Sequence, residues 1–445
     1  MTLKRIYIAT LLGLSSLAAN ADTLKQVYEA AKLKDPVILK SKAEYDFFKE
    51  QVNESKADLL PQIGFGLDAN RVQSSRDTSR YNYFGAGFDL TQSIYNGTYW
   101  QNADIAEKQA VQYSAIYGYA AQNLIYRVAV AYFNVLSADE AVKSIEANKR
   151  AVQRQLEQTQ QRFDVGLIAI TDVHEAQAEY DTTVADLIIA KNTLANNYYL
   201  LRQLTGEDVK QVTYLDTENF QATPLEGDVS VWRNRAIEHN LELHSMRIAK
   251  ELAKMNIDLA ETGHGPTIDF TLDLDYDDYN YDDYDSGSYA AKSATAGLSL
   301  DVPIYSGGSI TSQVKQAQYS YVMASQDLVE TFRSTEVSIS SGYNNVQASV
   351  SSISAYEQSV ISSQSALDAA EASFEVGTRT IVDVLDATNS LYESENLLAN
   401  ARYDYIINML QLKLSAGTLT EQDLFDISAG LSKQTNEIKK TDTSS

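Results

Sequence analysis

The feature that most constrains this chain is a repeat. Phe163 to Glu175 reads F-D-V-G-L-I-A-I-T-D-V-H-E, and Phe374 to Asp386 reads F-E-V-G-T-R-T-I-V-D-V-L-D. The two stretches lie 211 residues apart, and the same offset links Gly206 to Gly417. A fixed period over that distance marks an internal duplication. Each copy carries long helical sequence on both sides of one Val-Gly. The simplest fold that satisfies the pattern is a helical hairpin turning at the Val-Gly, built twice. The tips fall near residues 165–167 and 376–378, with acidic pairs just past them.

A length of 445 residues would suggest about three domains, but the duplication calls for one elongated body. Residues 1–21 read as a secretory signal: Lys4 and Arg5, an apolar run from Ile6 to Leu17, then Ala19-Asn20-Ala21 as the cleavage site. Without them, 34 basic residues face 60 acidic ones, a formal charge of −26. That balance argues against nucleic acid as a partner. There is no cysteine, so neither disulfides nor a lipidated N-terminal cysteine are available to an exported chain. No later stretch reaches the ~18 consecutive apolar residues of a spanning helix. If the chain enters a membrane, it does so as β-structure.

Asp22 to Leu60 reads as helix, interrupted at Asp35-Pro36. From Ile63 the period changes to two. Ile63, Phe65, Leu67 and Ala69 form one apolar row, and Phe84, Ala86, Phe88 and Leu90 form the next after a polar turn. The second copy repeats this with Ile268, Phe270, Leu272 and Leu274, then Ala294, Ala296, Leu298, Leu300, Val302 and Ile304. These are two hairpins, 62–95 and 266–305, each with one apolar face. Tyrosines at the strand ends (Tyr81, Tyr83, Tyr95, Tyr305) suggest an aromatic girdle and favour membrane strands over a soluble sheet. Four strands cannot close a barrel, so several chains must share one: two give eight strands, three give twelve. The second connection, Asp275 to Tyr289, is rich in Asp and Tyr and reads as a loop. Its carboxylates suit Ca²⁺ chemically, but their spacing matches no EF-hand, and a solvated loop is the simpler reading.

Helix dominates the rest. Gly97 to Gly166 would span roughly 100 Å at ~1.5 Å per residue, and the return helix roughly 60 Å. One long helix is therefore matched by two shorter ones stacked end to end. Small polar residues, notably serine from Ser338 to Ser365, suit a coiled coil with solvent on both sides. Residues 22–227 and 228–431 are then two structural repeats, each closing with a collar segment, and 432–445 is a polar, disordered tail. The four histidines have no metal-ligand spacing, and no nucleophile elbow, phosphate loop or Cys/His cluster appears. The expected fold class is α+β, with strands for a shared barrel on a helical coiled coil. No enzyme activity, cofactor or metal is expected.

Specific words add to this: R-F-D-V-G-L-I-A-I-T-D-V (162–173), S-Q-V-K-Q-A-Q-Y (312–319), V-G-T-R-T-I-V-D-V-L-D-A-T (376–388), A-N-A-R-Y-D-Y (399–405) and G-T-L-T-E-Q-D-L (417–424). Over the whole mature chain the sequence resembles the TolC family of outer membrane factors, the exit ducts of Gram-negative bacteria. The resemblance implies a homotrimer, with a twelve-stranded β-barrel in the outer membrane and a helical tunnel in the periplasm. It also implies a periplasmic adaptor and an inner-membrane pump, of RND or ABC type, as partners in multidrug efflux and type I secretion.

Site residues follow from the same resemblance. Asp383 and Asp386 match the paired aspartates of the periplasmic constriction, where threefold symmetry would gather six carboxylates and favour cations. Arg379 matches the arginine that links neighbouring hairpins, with Thr171 and Asp172 as its partners. Val165, Gly166 and Leu167, with Val376, Gly377 and Thr378, match the adaptor-docking tips. Two departures stand out. Phe374 replaces a tyrosine whose hydroxyl helps the link, and Glu175 replaces a glutamine three residues after Asp172. Both imply a gate less strongly latched and more acidic than the family's reference form. A passive outer-membrane channel working without a pump is the alternative reading, and a secreted coiled-coil adhesin a more distant one.

Overall fold

The computed structural model describes residues 22–73, 80–217, 220–282 and 287–432. The expected export signal and residues 433–445 of the expected tail lie outside them. Helix α1 (Leu24–Lys34) opens on a capping box in which Thr23 and Gln26 exchange hydrogen bonds. It breaks at Asp35-Pro36, with Pro36 in the first turn of α2 (Pro36–Ala57), where no backbone donor is needed. A hairpin of β1 (Gln62–Gln73) and β2 (Arg80–Asn96) follows. The 68-residue α3 (Gly97–Asp164) and α4 (Ile170–Thr205) form the first helical hairpin.

After β3 (Tyr214–Leu215) the order repeats with α5 (Val229–His239), α6 (Leu241–Thr262), β4 (Thr267–Tyr281), β5 (Tyr289–Asp301), α7 (Ser309–Glu375) and α8 (Ile381–Ser415). The chain closes on α9 (Glu421–Ala429) and β6 (Leu431–Ser432), which pairs with β3. Ser432, expected in the tail, is the last residue of that strand pair.

The long helices are escorted as their length requires. Near the sheet, α3 packs on α2, with Lys56 paired to Glu107 and Phe48 stacked on Tyr113. Towards the tip it packs on α4, with Lys191 paired to Glu146. Serine and asparagine stitch the helices together: Ser359 and Ser363 both reach Ser394, and Asn408 donates to Ser349. Large side chains concentrate at mid-length. Leu24, Tyr28, Leu124, Tyr132, Phe133, Leu136, Leu201, Ile339, Leu410 and Leu412 are almost fully buried there. The buried Tyr132 hydroxyl is satisfied by Thr213 and by the Asp22 carbonyl, which ties the start of the described chain to the β3 segment.

Each copy has a break between its two shorter stacked helices, α1–α2 in the first and α5–α6 in the second. Asp35 caps α2 through the Ile38 amide and is held by Arg127 of α3. Its counterpart Asn240 caps α6 through the Leu243 amide and donates to the Ser415 carbonyl of α8. The second break carries no proline, so no proline marks it in the sequence.

The four long strands form one antiparallel sheet in the order β1-β2-β4-β5, so β1 and β5 are open edges. Directly paired residues share a face. Phe65, Phe88, Leu274 and Ala294 are in register, as are Ile63, Leu90, Leu272 and Ala296. This is the apolar face the alternation requires. Two sequence expectations need correction here. Tyr81 and Tyr83 pair with Tyr281 and Tyr279, out of phase with Phe84 and Phe88, so they lie on the polar face and form no lipid-facing girdle. Tyr95, past a register shift at Ser93, pairs with Ile268 and does join the apolar face. The second correction concerns Asp275 to Tyr289. Its first seven residues, Asp275 to Tyr281, continue β4 in register with β2. Polarity alone suggests a loop, but Asp275 and Asp277 lie on the polar face of the strand, and Asp278 and Asn280 lie past the end of the apolar band on the other.

Candidate functional site

The two hairpin tips are built alike. Each long helix ends on a glycine with positive φ, Gly166 at 77° and Gly377 at 76°, a conformation that only glycine adopts without strain. Both turns close the same way. Gly166 and Leu167 donate to the Phe163 and Arg162 carbonyls, and Gly377 and Thr378 donate to those of Phe374 and Ser373. A Cβ added to either glycine would meet no atom within 4 Å. Val165, Leu167 and Val376 are 70–74% exposed. Apolar side chains this open, at two matching turns, form a surface that packing within the chain leaves uncovered.

Just behind the tips, all four helices meet. Val152, Ala176, Ala370, Phe374, Ile381, Val384 and Leu385 are buried together. Phe374 lies in this cluster with the Arg162 guanidinium 4.4 Å from its ring centroid. It therefore joins the first hairpin to the second by packing and by cation–π attraction. The sequence reading did not single out Arg162. No motif announces it, because the contact crosses the duplication.

The acidic residues divide. Asp383 is half-buried at the third position of α8 and completes a capping box. Its Oδ2 accepts from the Thr380 amide and hydroxyl, both at 2.8 Å, and its own amide donates to the Thr380 hydroxyl. These bonds, helped by the charge of Arg379, hold its carboxyl below the usual aspartate range. Asp386, one turn on, is exposed. The first copy has Ala169 where the second has Thr380, and α4 has no side-chain cap. Among the described residues, the Asp172 carboxylate accepts only from the neighbouring Thr171 hydroxyl, at 3.5 Å, and Glu175 is exposed one turn further. The capping box at Thr380 was legible as a Thr-x-x-Asp pattern, and the sequence reading missed it.

Arg379 is exposed, and among the described residues it makes no hydrogen bond or ion pair within its own chain. The expected contact with Thr171 and Asp172 is not made inside one protomer.

The profile of the outer membrane efflux protein family matches residues 27–207 and 232–418, one match per copy of the duplication. The chain is 43% identical to the outer membrane protein TolC of Vibrio cholerae serotype O1 over 429 residues, covering 96% of this chain and 98% of that protein. It is 26% identical to the proteases secretion protein PrtF of Dickeya chrysanthemi, covering 96% of this chain and 95% of the relative. The fold is similar to that of the Campylobacter jejuni CmeC outer membrane channel, with a TM-score of 0.76 at 16% identity, over 97% of this chain and 98% of the other.

Proposed function

The chain belongs to the outer membrane efflux protein family, and from that premise we propose that three copies form an outer-membrane exit duct fed by a periplasmic adaptor and an inner-membrane pump. The observation that carries this is the sheet: four antiparallel strands, one face apolar, both edges open, seated on helices of about 100 Å. Open edges are not tolerated in lipid. Two chains would close an eight-stranded barrel, whose interior side chains fill. Three make twelve strands and leave a lumen. The chain works as a conduit, and the energy for transport comes from the pump.

The opposite end is the docking end. The exposed Val165, Leu167 and Val376 beside their turning glycines suit an adaptor that inserts between tips. Gly377→Leu forces positive φ on a branched side chain and fills the approach to the turn. The expected result is loss of drug efflux by at least about tenfold, with an unchanged amount of trimer on a non-denaturing gel. Full efflux from this variant would remove the docking role and favour a channel that works without a pump.

The entrance is closed at the same end. Asp383 and Asp386 from three chains form an acidic ring, widened by Glu175. Arg379, exposed and unpaired in its own chain, bridges to Thr171 and Asp172 of a neighbour. Phe374 has no hydroxyl to add to that latch and instead packs under Arg162. The capping bonds give the ring a pH signature. Because they depress the Asp383 pKa, the carboxylate keeps its charge as pH falls, until pH passes that lowered value. Thr380→Ala removes the hydroxyl bond and raises the pKa, so charge is lost at a higher pH. Block of the duct by a trivalent cation, titrated downward in pH, should fail earlier in Thr380→Ala than in wild type. Coincident titrations would mean that Asp383 does not sit in the conducting path.

A further inference from the structure

The polar face of the sheet carries a second arrangement, at the end far from the helical tips. Tyr81 and Tyr83 of β2, Tyr279 and Tyr281 of β4 and Tyr289 of β5 form one continuous aromatic patch across three strands. Ring centroids lie 5.1 Å apart for Tyr81–Tyr281 and Tyr83–Tyr279, and 5.0 Å for the stacked pair Tyr279–Tyr289. Tyr83 is folded down over Gly85 and donates its hydroxyl to Asp277 Oδ1 at 2.6 Å. A Cβ on Gly85 would lie 2.3 Å from that hydroxyl, so the glycine makes room for the ring. Below the patch, the registers Asp68–Gly85–Asp277 and Asp89–Asp273 set carboxylates on the same face.

The height of the patch is fixed from the other face. There the apolar band ends near Phe84 and Tyr276, and above it Arg71 pairs with Asp282 at 2.8 Å and reaches Asn82. Such a polar network belongs in water, so the tyrosines line the lumen at the level of the outer rim. Bulky aromatics that face water, while apolar residues of the same strands face the other way, are not explained by lipid anchoring or by core packing.

We propose that this collar is an exit site for organic cations, resting on the trimeric duct reading above. Aromatic faces attract weakly hydrated cations such as quaternary ammonium groups, and carboxylates just beneath add charge. Aspartates alone would hold small inorganic cations as well, whereas the rings discriminate in favour of ammonium groups shrouded in carbon. A cationic amphiphile leaving the tunnel meets the acidic layer first and the tyrosines last. The collar thus offers a final resting place before the outer medium and narrows the mouth to molecules that slide past rings.

The test is block of single-duct current by tetraethylammonium added on the outer side of a planar bilayer. Wild type should be blocked, with sodium at equal concentration producing no block. Tyr289→Leu changes an exposed residue at the end of the edge strand β5, and should raise the half-blocking concentration. Tyr81→Leu with Tyr279→Leu should raise it by about tenfold or more. The corresponding Phe variants, which keep the ring, should stay close to wild type. Leu variants blocked as well as wild type would overturn the proposal. So would Phe variants that lose as much block as Leu variants, since hydroxyl bonding would then be the cause. Wild-type current itself tests the duct reading, so a conducting channel indifferent to these substitutions sinks only the collar.

Discussion

Gly417→Ala should destabilise the middle of the molecule far more than the matching Gly206→Ala. Both glycines end a return helix with positive φ, 71° and 66°. A non-glycine residue there costs roughly 1–3 kcal/mol in backbone strain. The surroundings differ. A Cβ on Gly417 would lie 2.3 Å from the His239 carbonyl oxygen and 2.6 Å from the Asn240 amide, both backbone atoms of the α5–α6 break. A Cβ on Gly206 meets only the Lys34 side chain, at 3.3 Å, which can swing away. Displacing packed backbone costs roughly another 1–3 kcal/mol, and the break is held in place by the Asn240–Ser415 bond. Gln122 bonded to the Gly417 carbonyl would have to shift as well. Thermal unfolding followed by circular dichroism should show a much larger fall in midpoint for Gly417→Ala than for Gly206→Ala. Equal shifts would mean that the α5–α6 break yields, contrary to its bonding.

The second large effect is electrical. Asp383→Ala with Asp386→Ala should abolish block of the duct by multivalent cations. In the proposed trimer this removes six carboxylates from one narrowing. In water, a trivalent ion about 6 Å from a single carboxylate gains roughly 2 kcal/mol, reduced by salt over a Debye length of about 8–10 Å. Several such contacts acting together justify an expected rise of at least about a hundredfold in half-blocking concentration. Glu175 would retain a weak residual block. Undiminished block in the double variant would move the acidic constriction elsewhere.

The duplication and the strand alternation made most of the architecture readable. A period of 211 residues and apolar rows such as Phe84, Ala86 and Phe88 admit few folds. Where the reading failed, it used residue type and ignored phase. Tyr81 and Tyr83 are odd-numbered in a strand whose apolar row is even-numbered, so their face was already determined by the count. Asp275 to Tyr281 reads as loop by its polarity, although Leu272 and Leu274 set a register that Tyr276 continues. The break at Asn240 left no trace because an asparagine cap does the work of the Asp35-Pro36 step without proline. At the tips, the glycines and Asp383 were legible from local spacing. The stacking of Arg162 on Phe374 was not, because it joins residues 212 positions apart through tertiary packing alone.

The most direct test of the account is the current carried by purified wild-type protein in a planar bilayer, without adaptor or pump. A duct closed at an acidic entrance should give a small, cation-selective conductance with a reversal potential displaced accordingly across a salt gradient. Inserted trimers that carry a large, unselective or anion-selective current, or none at all, would contradict it.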